Sequence, residues 1–112
     1  MNPPIVVLVC GGRTYDDAAC MERRLDALRP ISRLVHGGAP GADTLADNYA
    51  ATRGIERRAY KIRRPRENGY QRNQRMLNSE KIDWVVAFPG GNGTADMVRR
   101  ARRAGIPVIE VK

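Results

Sequence analysis

Two stretches of this chain are apolar at every position rather than at alternate ones: Ile5-Val6-Val7-Leu8-Val9-Cys10 and Trp84-Val85-Val86-Ala87-Phe88. Continuous runs of this length, rich in β-branched residues, are the pattern of strands buried on both faces, as in the middle of a parallel sheet. Elsewhere apolar residues recur at helical intervals. Ala18, Met21, Leu25 and Leu28 form one stripe, with Asp16 and Asp17 placed to cap it and Pro30 to end it. Ala42, Leu45, Ala46, Tyr49 and Ala50 form a second, closed by Gly54. Asn73, Met76, Leu77 and Glu80 share a third, over about Tyr70 to Lys81. Met97, Val98, Ala101 and Ala104 form the fourth, with Arg99, Arg100, Arg102 and Arg103 outward and Gly105 as the stop.

Shorter extended pieces complete the series. Leu34 to His36, opened from Ile31, reads as a strand. Ile55 to Ile62 alternates weakly and carries Arg57, Arg58 and Lys61, which suits an edge strand. Arg63 to Gly69 is an irregular basic loop, expected to be a mobile connection near a site, and Pro107 to Val111 is a last strand. Strand then helix, four times over, and a final strand, with short connections that force right-handed crossovers, predicts a single doubly wound α/β domain. In the order 3-2-1-4-5 the first and fourth strands meet where the winding reverses. Ligands bind there, beyond the carboxyl ends of the strands.

Three glycine-rich segments fall at such strand ends. They are Gly11-Gly12-Arg13, the stretch from Gly37 to Asp43 with Gly38 and Gly41, and Pro89-Gly90-Gly91-Asn92-Gly93-Thr94 running to Asp96. The last reads as a phosphate cradle. Its glycines let an anion approach the backbone, Thr94 offers a hydroxyl, and free N–H groups at the start of a helix face the anion. Arg13 and Arg72 can add charge-assisted hydrogen bonds. Asp43 and Asp96 are the carboxylates available for a ribose hydroxyl pair, or else each caps its own helix. Asn73 is polar on an apolar stripe, and it either donates to the ligand or satisfies a loop carbonyl. The lone His36 is expected to be structural. No Ser-His-Asp or Cys-His set, no metal-ligand spacing and no Walker lysine accompany the glycines, so neither metal nor cofactor is expected.

Composition changes this picture little. The 112 residues are 42% hydrophobic, enough for one core. Cys10 and Cys20 are expected to be reduced core thiols, and the six-residue apolar run from Ile5 is too short to cross a bilayer. A cytoplasmic location without membrane contact is expected. The net charge of +8 admits an acidic partner, nucleic acid included. However, 17 of the 20 basic residues are arginine, several on outward helix faces, and aromatics are too few for base stacking along a strand.

Taken together, Gly11-Gly12-Arg13, His36 to Asp43 with Leu45-Ala46, Arg72-Asn73 with Met76, and Pro89 to Met97 followed by Gly105-Ile106-Pro107-Val108 resemble the YspA-like (DUF2493) branch of the SLOG superfamily. The resemblance implies a Rossmann-like, three-layer α/β/α fold, common in bacteria and phages, that binds nucleotides or nucleotide-derived signals. It also implies a homodimer or higher homo-oligomer. Related LOG-type phosphoribohydrolases, which cleave the base from a nucleoside monophosphate, carry Pro-Gly-Gly-x-Gly-Thr-x-x-Glu; the superfamily also includes the DNA-processing protein DprA. Here Pro89 to Thr94 match, and the Glu position is Met97. Asp96 lies one place early, a rotation of about 100° on a helix.

The expectation is therefore a binding or sensing domain for a small nucleotide-type ligand, held by Gly11 to Arg13, Gly37, Gly38, Gly41, Asp43, Arg72, Asn73 and Pro89 to Thr94. The rival is a nucleotide N-glycosidase using Asp96, Arg72 or Asp43. An accessory protein for nucleic acid is the third reading.

Overall fold

The structure, a computed structural model, describes residues 3–112. Strands and helices alternate as β1 (Ile5–Cys10), α1 (Ala18–Asp26), β2 (Ile31–His36), α2 (Ala42–Thr52), β3 (Glu56–Ala59), α3 (Gly69–Ser79), β4 (Trp84–Ala87), α4 (Asn92–Arg103) and β5 (Val108–Glu110). The five strands form one sheet in the order β3-β2-β1-β4-β5, and every pairing is parallel. The fold is thus the expected Rossmann-like three-layer arrangement. β1 and β4 lie side by side at the reversal point, with Cys10 opposite Ala87.

The unbroken apolar run of β1 is explained by the two layers that it feeds. Successive side chains leave opposite faces of a strand. Val7 and Val9 pack with Met21, Leu25, Ala46 and Tyr49 of α1 and α2. Leu8, between them, packs with Met76 and Leu77 of α3 and Met97 and Ala101 of α4. β4 and the residue after it divide likewise, Val86 and Phe88 to the first layer and Val85 to the second. β3, at the sheet edge, is exposed along its whole length, as its charges predict.

The helix ends differ from expectation in detail. Asp17 caps α1, accepting from the Cys20 amide at 3.0 Å. Ala18 and Ala104 are exposed rather than inward. Each sits at the very end of its helix, where the stripe has already passed the sheet. α3 begins in a reciprocal capping box of Asn68 and Gln71 and ends at Ser79. Glu80 leaves the helix in extended conformation, and its buried carboxylate accepts from Arg33 at 2.9 Å and from the Tyr60 hydroxyl. α3 is thereby pinned to the strand edge at one end. No helix among the described residues is long and apolar enough to cross a membrane.

Leu8 has no solvent exposure and lies in the core between the sheet and the α3/α4 layer. Leu8→Ala is expected to cost about 2–5 kcal/mol, seen as a lowered denaturant midpoint with an unchanged m value.

Candidate phosphate-binding site

At the carboxyl end of the sheet three backbone segments touch one another directly. The Gly12 N–H donates to the Pro89 carbonyl at 2.9 Å, and the Gly12 carbonyl accepts from the Ala42 and Tyr15 amides at 3.1 and 3.2 Å. No side chain fits between them. A Cβ on Gly12 would stand 2.9 Å from the Pro89 oxygen, and one on Gly90 2.7 Å from the Gly12 nitrogen. One on Gly41, which has φ +78°, would stand 2.2 Å from the Gly12 oxygen. These glycines are required by loop-on-loop packing. Gly91 and Gly93 are different, because a Cβ at either meets nothing within 4 Å. Nothing in the fold demands glycine there.

α4 starts beyond this junction, two residues before Thr94. Gly91 is its N-cap and supplies no side-chain acceptor, and the first helical bond is from the Ala95 amide to the Gly91 carbonyl at 3.1 Å. The Asn92, Gly93 and Thr94 amides therefore have no acceptor among the described residues. The positive end of the helix dipole is left open. The Thr94 hydroxyl lies over Gly90 rather than capping the helix.

α3 sets the angle of this helix start. The Asn73 side-chain amide donates to the Gly93 carbonyl at 3.1 Å and to the Asp96 carboxylate at 3.0 Å, while its oxygen accepts from Arg72 Nε at 3.2 Å. Both amide hydrogens are used, so Asn73 holds the loop in place and has none to donate to a ligand. The same Asp96 oxygen accepts from Arg100 Nε at 2.8 Å. Asp96 does not line the cavity described next. Met97, at the hydrolase Glu position, is wholly buried in the α3/α4 core.

The loop from Pro89 to Thr94 opens into a cavity of about 830 Å³. That lies toward the top of the roughly 300–1,000 Å³ range of small-molecule sites. Gly11 to Arg13, Gly37, Asp43, Arg72, Asn73 and Pro89 to Thr94 line it as expected; Gly38 and Gly41 do not, being turned against Lys61 and the Gly12–Arg13 backbone respectively. Sequence reasoning missed Arg64, Asn68, Gly69 and Ile62, which close the near side. Their only signal was the irregular basic loop between β3 and α3. That loop, expected to be mobile, is tied down by Glu67, whose carboxylate accepts from Arg75 at 2.8 and 2.9 Å and from the Arg63 amide at 2.9 Å. These bonds hold the Glu67 carboxyl at about 2, well below its ordinary value, with Arg75 the largest cause.

The cavity has one carboxylate and three guanidiniums. Asp43 does not cap its own helix; its Oδ2 accepts from the Gly37 and Ala39 amides, each at 3.1 Å, and fixes the loop before it. Oδ1 has no partner among the described residues. Burial raises the Asp43 pKa, opposed by the Ala39 amide, His36 and Arg72. Arg72 is sandwiched against Gly37, donates to the Gly37 and Tyr60 carbonyls, and has NH2 unengaged. Burial lowers its pKa, and no carboxylate among the described residues lies within ion-pair distance. Arg13 and Arg64 likewise make no side-chain hydrogen bond or ion pair among the described residues. Cys10, on the floor, is pushed up to about 12 by burial, which makes it a poor nucleophile. His36 is engaged at both nitrogens, Nδ1 accepting from the Gly38 amide at 3.0 Å and Nε2 meeting Asp47 at 2.9 Å. It is a structural histidine.

Known proteins place this arrangement in a class. The chain belongs to the YAcAr family, described as the YspA, cpYpsA-related SLOG family, whose profile matches residues 5–66. That stretch holds the first two glycine-rich loops and ends at the basic loop. The Gene 61 protein of Mycobacterium phage D29 is 34% identical over 119 aligned residues, covering 92% of this chain and 93% of that protein. The X-ray structure of TM1055 superposes with a TM-score of 0.73 at 19% identity, over 93% of this chain and 72% of that one, and so shares the fold.

The junction at Gly12 gives a direct test. Gly12→Ala must push the β1 and β4 loops apart and is expected to destabilise by about 1–3 kcal/mol, whereas Gly91→Ala should stay within about 0.5 kcal/mol. Chemical denaturation of the two variants measures the contrast.

Proposed function

We propose that this domain binds a small nucleotide or nucleotide-derived ligand. Its phosphate sits on the Asn92, Gly93 and Thr94 amides with Arg72 and Arg13 beside it, and its sugar hydroxyls meet the free Oδ1 of Asp43. The observation that carries this reading is the uncapped start of α4, with three unpartnered amides opening on a cavity whose three arginines lack carboxylate partners. Asn92 and Gly93 are exposed and Thr94 and Arg72 half-buried, so these donors are open to a ligand, and a phosphate would supply the acceptors that the fold does not. Gly91 and Gly93 support it, since a ligand close to the backbone gives a reason for glycine where packing gives none.

Binding is favoured over N-glycoside cleavage. Met97 replaces the hydrolase Glu and lies in the core, Asp96 is consumed by Asn73 and Arg100, and Asp43 alone remains as a carboxylate at the cavity. A binding or sensing role asks nothing more of these residues than to hold a phosphate and a sugar.

Thermal unfolding with each of the four ribonucleoside 5′-monophosphates tests the proposal. At about 100 times the dissociation constant a bound nucleotide should add about 2.7 kcal/mol. Gly93→Asp is the informative variant. A carboxylate in the first turn of α4 should stabilise the free protein by about 0.3–1 kcal/mol while abolishing the nucleotide-induced shift. An undiminished shift in Gly93→Asp would place the phosphate elsewhere.

A further inference from the structure

The cavity does not end at Arg64. A second hollow, of about 480 Å³, adjoins it at the loop between β3 and α3, and Arg64 lines both. The walls of the second hollow come from that loop and from Gln71 on the first turn of α3. Their chemistry is one-sided. Arg63, Arg64 and Arg66 bring three guanidiniums, and none makes a side-chain hydrogen bond or ion pair among the described residues. Glu67, the carboxylate present, has both oxygens occupied by Arg75 and the Arg63 amide, so its charge is already answered. Gln71 has its oxygen occupied by the Asn68 amide at 2.9 Å, which leaves only its NH2 to offer. The hollow therefore presents donors and positive charge, with no side-chain acceptor free. Such a surface fits a second anion and disfavours a cation or a neutral sugar.

The loop that carries these arginines is held in shape. Arg75 NH2 donates to the Lys61 carbonyl at 2.7 Å, and the same guanidinium clasps Glu67. The three side chains are thus presented from a braced backbone, next to the cradle that would hold the first phosphate.

We infer that the ligand carries two separate phosphoryl groups, one seated on the start of α4 and the other on the Arg63–Arg66 side of the shared Arg64 wall. This inference rests on the cradle reading above and narrows the ligand class to nucleotides phosphorylated at more than one point. A nucleoside 3′,5′-bisphosphate is the simplest molecule of that kind. Two phosphates in a chain at one end of the sugar, as in a 5′-diphosphate, are the contrasting case, because both would crowd the cradle.

Calorimetry with the full chain decides the matter, using the four ribonucleoside 5′-monophosphates, their 5′-diphosphates and their 3′,5′-bisphosphates. For at least one base the bisphosphate is expected to bind about ten-fold or more tightly than both other forms. The double variant Arg63→Ala/Arg66→Ala removes two exposed side chains that do not line the main cavity, so it should fold normally. It should bring the bisphosphate down to the monophosphate affinity and leave the monophosphate unchanged. Equal affinities for monophosphate and bisphosphate, a preference for the 5′-diphosphate, or a bisphosphate gain that survives the double variant would each overturn the inference while leaving the cradle standing. No binding by any of the twelve compounds would remove the cradle and this inference together.

Discussion

Gly12 is the point on which the rim of this sheet is built. Its N–H and carbonyl each bond to a different neighbouring loop, and Gly90 and Gly41 approach it too closely for any side chain to intervene. Because β1 and β4 are adjacent, and β2 lies on the other side of β1, the three loops that leave these strands must converge here. Glycine at the junction lets them meet backbone to backbone. The same closeness fixes where α2 and α4 begin, and so where their amides point.

What sits on that junction divides into residues that hold the site and residues left over for a ligand. Asn73 and Asp96 belong to the first group, their polar atoms spent on the Gly93 carbonyl, on each other and on Arg100. His36 belongs there too, through Gly38 and Asp47. In the second group are the α4 amides, Arg13, Arg64, the unengaged NH2 of Arg72 and one oxygen of Asp43. Every buried side-chain nitrogen and oxygen among the described residues has a partner, so the donors left over are those that face the cavity and its solvent. The donors outnumber the acceptors, which is the complement that the proposed phosphorylated ligand would need.

Much of the fold was legible because its strongest signals are local. The unbroken runs of β1 and β4 announced central strands, and glycine-rich punctuation after three strands, read with the doubly wound winding, put the loops on one rim. What the sequence could not convey was contact between distant segments. Asn73 and Asp96 are 23 residues apart, and only the meeting of α3 and α4 turns two candidate ligand groups into a clamp. Gly38 and Gly41 looked like cradle glycines, yet their near neighbours are Lys61 and the Gly12–Arg13 backbone. Ala18 and Ala104 completed helical stripes on paper but fall at helix ends, beyond the reach of the sheet. Arg64 and Asn68 lie in a segment without periodicity, where side-chain direction has no sequence signature.

If the open start of α4 is an anion site turned to nucleotide recognition, its free amides must respond to a phosphate. The most direct measurement is a ¹H–¹⁵N correlation spectrum of the labelled protein titrated with a nucleoside 5′-monophosphate and, separately, with the parent nucleoside. The monophosphate should move the Asn92, Gly93 and Thr94 amide resonances downfield and saturably, together with the Arg72 side-chain signal, while the nucleoside leaves all of them in place. Saturable binding with those three amides unmoved, or equal shifts from nucleoside and nucleotide, would contradict it.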